Sequence, residues 1–335
     1  MLKNNSSKRP FTKEELKAKF GPIPENTKDI KRVRLHQGWW RLNVLNKVAG
    51  EHPTNKGDTV CNTMYNGDET GINFLTANTF KIVKQTLAQR TEKDGGKIEE
   101  NRLYNNLMSS QPLCFNFFAE LEFNKELGLK VLQSWWSEIT KLNKVMFEYS
   151  PPVNYTKDGS AFDVAFDVQF GDKRGFIGLE CKYTDTFSYK PQKSSIFYGD
   201  FGNKNHETYT QVFNSNIKAF KAGYFDFVKS KKHNQLFRNQ LMAESILENN
   251  DFDIVKTGLF CFEKDNEAVS TGKEFQSMIA NGEDMFTVIT YSDFINKAQQ
   301  LNLTWEQREW TMLLWARYCG LQLSEAINNQ LFNIV

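Results

Sequence analysis

Three side chains in the stretch SAFDVAFDVQFGDKRGFIGLECKYTD, Ser160 to Asp185, carry the types needed to hold a cation against a phosphate: Asp163, Glu180 and Lys182. Two hard carboxylates, helped by the backbone carbonyl of Cys181, suit Mg²⁺, which keeps several waters and binds through one or two carboxylates plus substrate phosphate oxygens. Such an ion polarises a scissile phosphate and lowers the pKa of a bound water. Lys182 would orient the attacking water or offset charge in the transition state. A bare Glu-x-Lys is common, and its ordinary meaning is a solvated sheet face with a cross-strand ion pair.

For these residues to meet, they must stand on strands that share a face. Side chains alternate with period two along a strand. Phe162, Val164, Phe166, Val168 and Phe170 fall on one face of the first segment, with Asp163, Ala165, Asp167 and Gln169 opposite. In the second, Ile177, Leu179, Cys181 and Tyr183 form the apolar face, leaving Phe176, Gly178, Glu180 and Lys182 opposite. Both read as half-buried strands of a hairpin, joined through Gly171-Asp172-Lys173-Arg174-Gly175. The alternation leaves open whether Asp163 or Asp167 lies closer to Glu180.

The Asp…Glu-x-Lys hairpin resembles the PD-(D/E)XK nuclease superfamily, and GSAFDVAF with RGFIGLECKYTD resembles a bacterial restriction-endonuclease-like branch of it. RLYNNLMSSQPLCFNFF (Arg102 to Phe118), FEYSP (Phe147 to Pro151) and NQLFRNQLMAESIL (Asn234 to Leu247) follow that branch in order, so the resemblance covers about Glu99 to Tyr291. It implies that Asp163 is the metal-binding acid, Glu180 the second acid and Lys182 the lysine. The SAFD pattern favours Asp163 over Asp167. One departure is Phe162, which precedes the aspartate where the superfamily's name suggests proline. The resemblance also implies an α/β restriction-endonuclease-like core, a central mixed β-sheet flanked by helices, with Mg²⁺ as cofactor, Mn²⁺ as a substitute, and nucleic acid, DNA first, as partner.

Accessory residues follow. Glu148 is either a third acid supporting metal or water, or a surface glutamate. Gln235 and Arg238 lie one helical turn apart, and the resemblance favours their holding a phosphate or the acidic cluster. Lys229, Lys231, Lys232 and His233 form a basic run whose Lys231 and Lys232 are candidate phosphate contacts; a solvated loop is the plainer reading.

Composition sets bounds. The 335 residues, 40% hydrophobic, suffice for a sizeable core. Forty-two Lys and Arg against 40 Asp and Glu leave the chain near neutral, so a nucleic-acid surface must be a local patch. Five scattered cysteines without Cys-x-x-Cys spacing argue for free thiols in a reducing cytoplasm, and the four histidines show no ligand spacing. The opening MLKNNSSKRP has no apolar signal core, and no stretch approaches a membrane span. A cytoplasmic protein without membrane contact is expected, and a homodimer is open to it.

Along the chain, residues 1–98 read as a partly irregular N-terminal elaboration, 99–300 as the nuclease-like core, and 301–335 as a C-terminal helical segment packed on it. Within the first part, Thr12 caps a short helix, Gly21 to Asp94 is irregular except for a helix from about Asn78 to Arg90, and Trp39-Trp40-Arg41 is a packing feature rather than a base-stacking one. The core should run a helix from Glu99, a second over PLCFNFFAEL with a serine of the Ser109-Ser110 pair as cap, and a third from about Leu127 to Leu142. A strand Lys144–Tyr149 and the hairpin follow, then helices Ala219–Phe227 and Gln235–Glu248 and strands Ile254–Phe262 and Met285–Tyr291. Thr304 and Gln307 form a capping box for the last helix.

Two function classes result: a metal-dependent nuclease, acting on DNA in restriction, defence or repair, or a non-catalytic nucleic-acid- or protein-binding module on the same scaffold. An RNA-directed nuclease would present the same residues.

Overall fold

Backbone pairing of the Asp163 and Glu180 segments is the feature on which the site depends, and it is present in the computed structural model of the chain. The structure describes residues 12–23, 28–53, 55, 57–91, 96–157, 159–184, 206–223 and 233–327. Two compact units form: Met1–Asn73, Tyr104–Met108 and Gly320–Val335 in one, Phe74–Leu103 and Ser109–Cys319 in the other.

In the smaller unit, Lys13–Phe20 is helical, and Thr12 and Glu15 exchange side-chain and backbone hydrogen bonds at 2.7 and 3.1 Å as a capping box. A sixteen-residue helix, Lys28–Asn43, lies where irregular chain was expected. Its inner face carries His36, Gln37 and Arg41 among Val33, Leu35 and Trp40, all buried, so no clean apolar stripe announces it. Arg41 donates to the carbonyls of Phe20 at 2.8 Å and Cys61 at 2.9 Å and to that of Lys47. Trp40 and Arg41 are therefore packing residues. The short strands β1 (Gly50–Glu51) and β2 (Thr59–Val60) pair antiparallel.

The larger unit holds a five-stranded mixed sheet in the order β3 (Lys141–Tyr149), β4 (Phe162–Phe170), β5 (Lys173–Lys182), β6 (Ile254–Cys261) and β7 (Phe286–Thr290). β3, β4 and β5 run antiparallel in sequence order, and β6 and β7 continue parallel to β5. The turn between β4 and β5 is only Gly171-Asp172, with Gly171 at φ 62°, so Lys173, Arg174 and Gly175 already belong to β5. β5 is not half-buried as alternation suggested: from Gly175 to Lys182 every residue is buried. It is the central strand and has a parallel neighbour, and such strands are covered on both faces.

Helices supply that cover. Ser110–Phe123, capped by Ser109, stacks Phe115 on Phe147 of β3 and sets Phe118 edge-on to Phe166 of β4. Asn234–Glu248 packs Met242, Ala243 and Ile246 with Ala165, Phe176 and Val255. Two helical expectations fail. The helix beginning at Lys125 ends at Leu132, and β3 already starts at Lys141, because Leu142, Val145 and Phe147 pair with β4. Ala219 closes a 3-10 turn, Ile217–Ala219, and Phe220 bridges to Ile279, with Gly223 at φ 84° beyond it; residues 224–227 lie outside those described. The last helix, Trp305–Leu314, has the Thr304–Gln307 capping box, and Trp310 donates to the Asn116 carbonyl at 2.8 Å. All five cysteines are buried free thiols, and among the described residues no helix is long and apolar enough to cross a membrane.

Gly178 of β5 gives Phe162, the residue before Asp163, its place: a Cβ there would stand 2.4 Å from the Phe162 ring, which packs on Phe176 at 5.1 Å. Gly178→Ala should destabilise the fold by about 1–3 kcal/mol through overpacking. Urea unfolding checks this as a lower midpoint with an unchanged slope.

Candidate active site

At the end of β4 the backbone ladder with β5 runs to Val164 opposite Leu179. One residue beyond, the Asp163 side chain takes over as acceptor: Oδ2 receives the Cys181 N–H at 2.6 Å. Asp163 is thereby tied to the Glu-x-Lys segment itself. Asp167 is committed elsewhere, accepting from Arg174 at 2.6 Å and from Asn143 at 3.0 Å. Geometry thus closes the register question that alternation left open.

Glu180 and Lys182 are neighbours on one face of β5 and form an ion pair at 3.0 Å, each 7% exposed. Such a pair is stable only if its remaining hydrogen-bonding capacity is met. Helix Asn234–Glu248 meets it. Gln235 Oε1 accepts from Lys182 Nζ at 2.5 Å, and Asn239, one turn on, donates to Glu180 Oε2 at 2.9 Å. Arg238, between them in sequence, donates to the Ser160 hydroxyl, with Nε at 3.1 Å, and so faces the strand carrying Asp163 rather than bulk solvent. Tyr291 donates to the Lys182 carbonyl from the residue following β7.

Glu148 adds a third acid. Its φ of 47° is a left-handed conformation inside a strand, costly for a residue with a Cβ. Its Oε1 accepts from Gln111 Nε2 at 3.0 Å. Burial first, and then the charge of Glu180, pushes the Glu148 carboxyl up. Asp163 is held well above the usual carboxylate range by burial and by the charges of Glu180 and Glu148, against which the Cys181 N–H and Lys182 act. The Cys181 thiol is raised by burial beside Cys114.

The like charges gathered here are what a divalent cation would relieve. Among the described residues no group of three or more His, Cys, Asp or Glu side chains converges as a ready metal cage. Two carboxylates and the Cys181 carbonyl nevertheless fit a hard cation that retains waters. Lys231 and Lys232, expected to touch phosphate, lie outside the described residues.

The sequence reading missed Asn239, Ser160, Gln111 and Tyr291. Asn239 had a signal: it stands four residues after Gln235 on one helix face. Asn239→Ala should leave a buried carboxylate oxygen without its donor and cost about 1–3 kcal/mol. Thermal or urea unfolding checks this, and Asn239→Asp, which sets a like charge against Glu180, should cost more.

A family model of the PD-(D/E)XK nuclease superfamily matches residues 25–320, a range that includes the whole mixed sheet. No curated protein and no solved structure matches. Members of the superfamily are generally metal-dependent nucleases. With the family model spanning most of the sequence, the chain belongs to the PD-(D/E)XK nuclease superfamily.

Proposed function

We propose that this chain is a Mg²⁺-dependent nuclease that hydrolyses phosphodiester bonds of DNA, in restriction, defence or repair in the cytoplasm, with Mn²⁺ as a substitute ion. The observation that carries the reading is the set of acids, half-buried Asp163 and Glu148 with buried Glu180, gathered beside one buried lysine, an arrangement that costs stability. Asp163, Glu180 and the Cys181 carbonyl would hold the ion. When bound, the ion supplies polarisation of the scissile phosphate and acidification of a water.

The chain's own groups do the rest. Asp163 commits Oδ2 to the Cys181 N–H and keeps Oδ1 for a ligand. Lys182, its ammonium fixed between Glu180 and Gln235, is pre-positioned to orient the attacking water or to offset charge on the phosphoryl oxygens. As the water oxygen attacks phosphorus, the bond to the leaving sugar oxygen breaks. Glu148, with its raised proton affinity, stands ready to take up a proton. Arg238, on Ser160, sets a cation at the mouth of β4 where a phosphate would approach.

Cleavage of supercoiled, linear and single-stranded DNA and of RNA, with and without Mg²⁺ or Mn²⁺, is the deciding experiment. Glu180→Gln should lower divalent-dependent cleavage by about 10²-fold or more, the scale of removing one transition-state-stabilising group. Equal rates at saturating Mg²⁺ would refute the assignment, and preferential cleavage of RNA would replace DNA as the substrate.

A second test needs no activity. Because the Asp163 carboxyl is raised in the fold, its ionisation costs stability fully above the folded pKa and not at all below the unfolded value. Metal-free Asp163→Asn protein should therefore melt higher than wild type at pH 8, the gap closing as pH falls toward the ordinary carboxylate range. Mg²⁺ should raise the Tm of wild type and leave that of Asp163→Asn unchanged.

A further inference from the structure

β3 is an edge strand, and along its open side runs a groove of about 480 Å³ within the larger unit. One wall is the end of helix Ala77–Gln89, with Gln89 and Arg90; the other is β3 and its continuation, with Lys144, Glu148, Tyr149 and Ser150. Glu148, which lines the groove, lies between the pairs Phe147–Val164 and Tyr149–Phe162 and so stands opposite Asp163 on the neighbouring strand. The groove therefore leads to the proposed reaction centre.

An exposed sheet edge ordinarily invites a further strand. This edge is partly closed to one: the Val145 N–H is taken by the Glu122 carboxylate, the Glu148 carbonyl accepts from Arg90 at 3.4 Å, and Pro151 and Pro152 follow directly. What remains available is charge and a face. Lys144 is exposed and forms no ion pair among the described residues, and Arg90 is fixed by the Glu148 and Gly96 carbonyls, the latter at 2.9 Å. Tyr149 is half-buried with its ring against Phe176. Cations spaced along a groove with an aromatic platform are how a polynucleotide strand is held without reading its bases, and the volume lies in the range that encloses small ligands of about 300–1,000 Å³.

We propose that this groove carries one strand of the nucleic acid to the acidic site, its phosphates meeting Lys144 and Arg90, with Lys144 as the dispensable anchor. The proposal rests on the nuclease reading above and adds the substrate's path. It concerns the hold on the strand, so its effect belongs in KM and binding rather than in the chemical step.

The test uses full-length protein carrying Glu180→Gln and a fluorescein-labelled oligothymidylate, titrated across a salt series. Adding Lys144→Ala should reduce the slope of log K against log salt by about 0.7, the share of one phosphate contact on a single strand. Lys144→Glu should weaken binding about tenfold or more, whereas Lys173→Ala, at the hairpin turn, should change neither quantity. In the cleaving enzyme Lys144→Glu should raise KM and leave kcat unchanged. Unaltered salt slope and affinity in both Lys144 variants would overturn the proposal, as would a fall in kcat at constant KM. If wild type cleaves nothing, the nuclease reading fails, while the groove is still judged by Lys144-dependent binding.

Discussion

Keeping charge inside the sheet is the constraint from which the larger unit's arrangement follows. Glu180 and Lys182 sit on the central strand with little of either exposed, so bulk water meets only a small part of their hydrogen-bonding capacity. Mutual attraction alone seldom offsets the desolvation of such a pair, so each remaining lone pair and proton must find a partner. Gln235 and Asn239 provide these from successive turns of one helix, and that helix must therefore lie over β5 with one particular rotation. Its apolar residues Met242, Ala243 and Ile246 then meet Ala165, Phe176 and Val255. Packing and charge satisfaction thus agree on a single docking geometry, as expected of a minimally frustrated core.

Much of this was legible in the sequence because the signals were local. Period-two alternation located β4 and most of β5, and capping residues placed the starts of helices at Thr12, the Ser109-Ser110 pair and Thr304. The shared face of Asp163, Glu180 and Lys182 also needed only the alternation and a short turn. What could not be read was set by distant partners. β5 is buried on both faces because helices from distant stretches, Ser110–Phe123 and Asn234–Glu248, cover the sheet, and β6 pairs its second edge from more than seventy residues later. The helix Lys28–Asn43 hides because its buried side chains are polar and find carbonyls elsewhere. The helix expected to reach Leu142 stops at Leu132: residues 133–140 form turns, and pairing with β4 takes Lys141 and Leu142 into β3.

Choosing between Asp163 and Asp167 shows the division most clearly. Both lie on the same face by parity, and alternation cannot separate them. Their neighbours do. Arg174 and Asn143 draw Asp167 into an ion pair toward the turn end of the hairpin, whereas Asp163 stands where the ladder stops and a bare N–H, that of Cys181, needs an acceptor. The family resemblance favours Asp163 as well; the hydrogen bond accounts for where Asp163 is held, not for what it does.

Glu148 carries the reasoning one step further. A left-handed conformation at a residue with a Cβ costs roughly 1–2 kcal/mol, and glycine would avoid it. Phe147 and Tyr149 on either side pair regularly with β4, so the kink is confined to Glu148. The kink's result is that the carboxylate meets Gln111 and comes within reach of the charges of Asp163 and Glu180. Strain of this kind persists only where surrounding contacts over-determine it, and it concentrates at working sites. Here Arg90 holds the Glu148 carbonyl and Gln111 its carboxylate, so both ends of the residue are fixed in the unfavourable geometry. Bringing a third carboxyl toward two others costs stability while all three are ionised, and the raised proton affinities of Glu148 and Asp163 are the form that this cost takes.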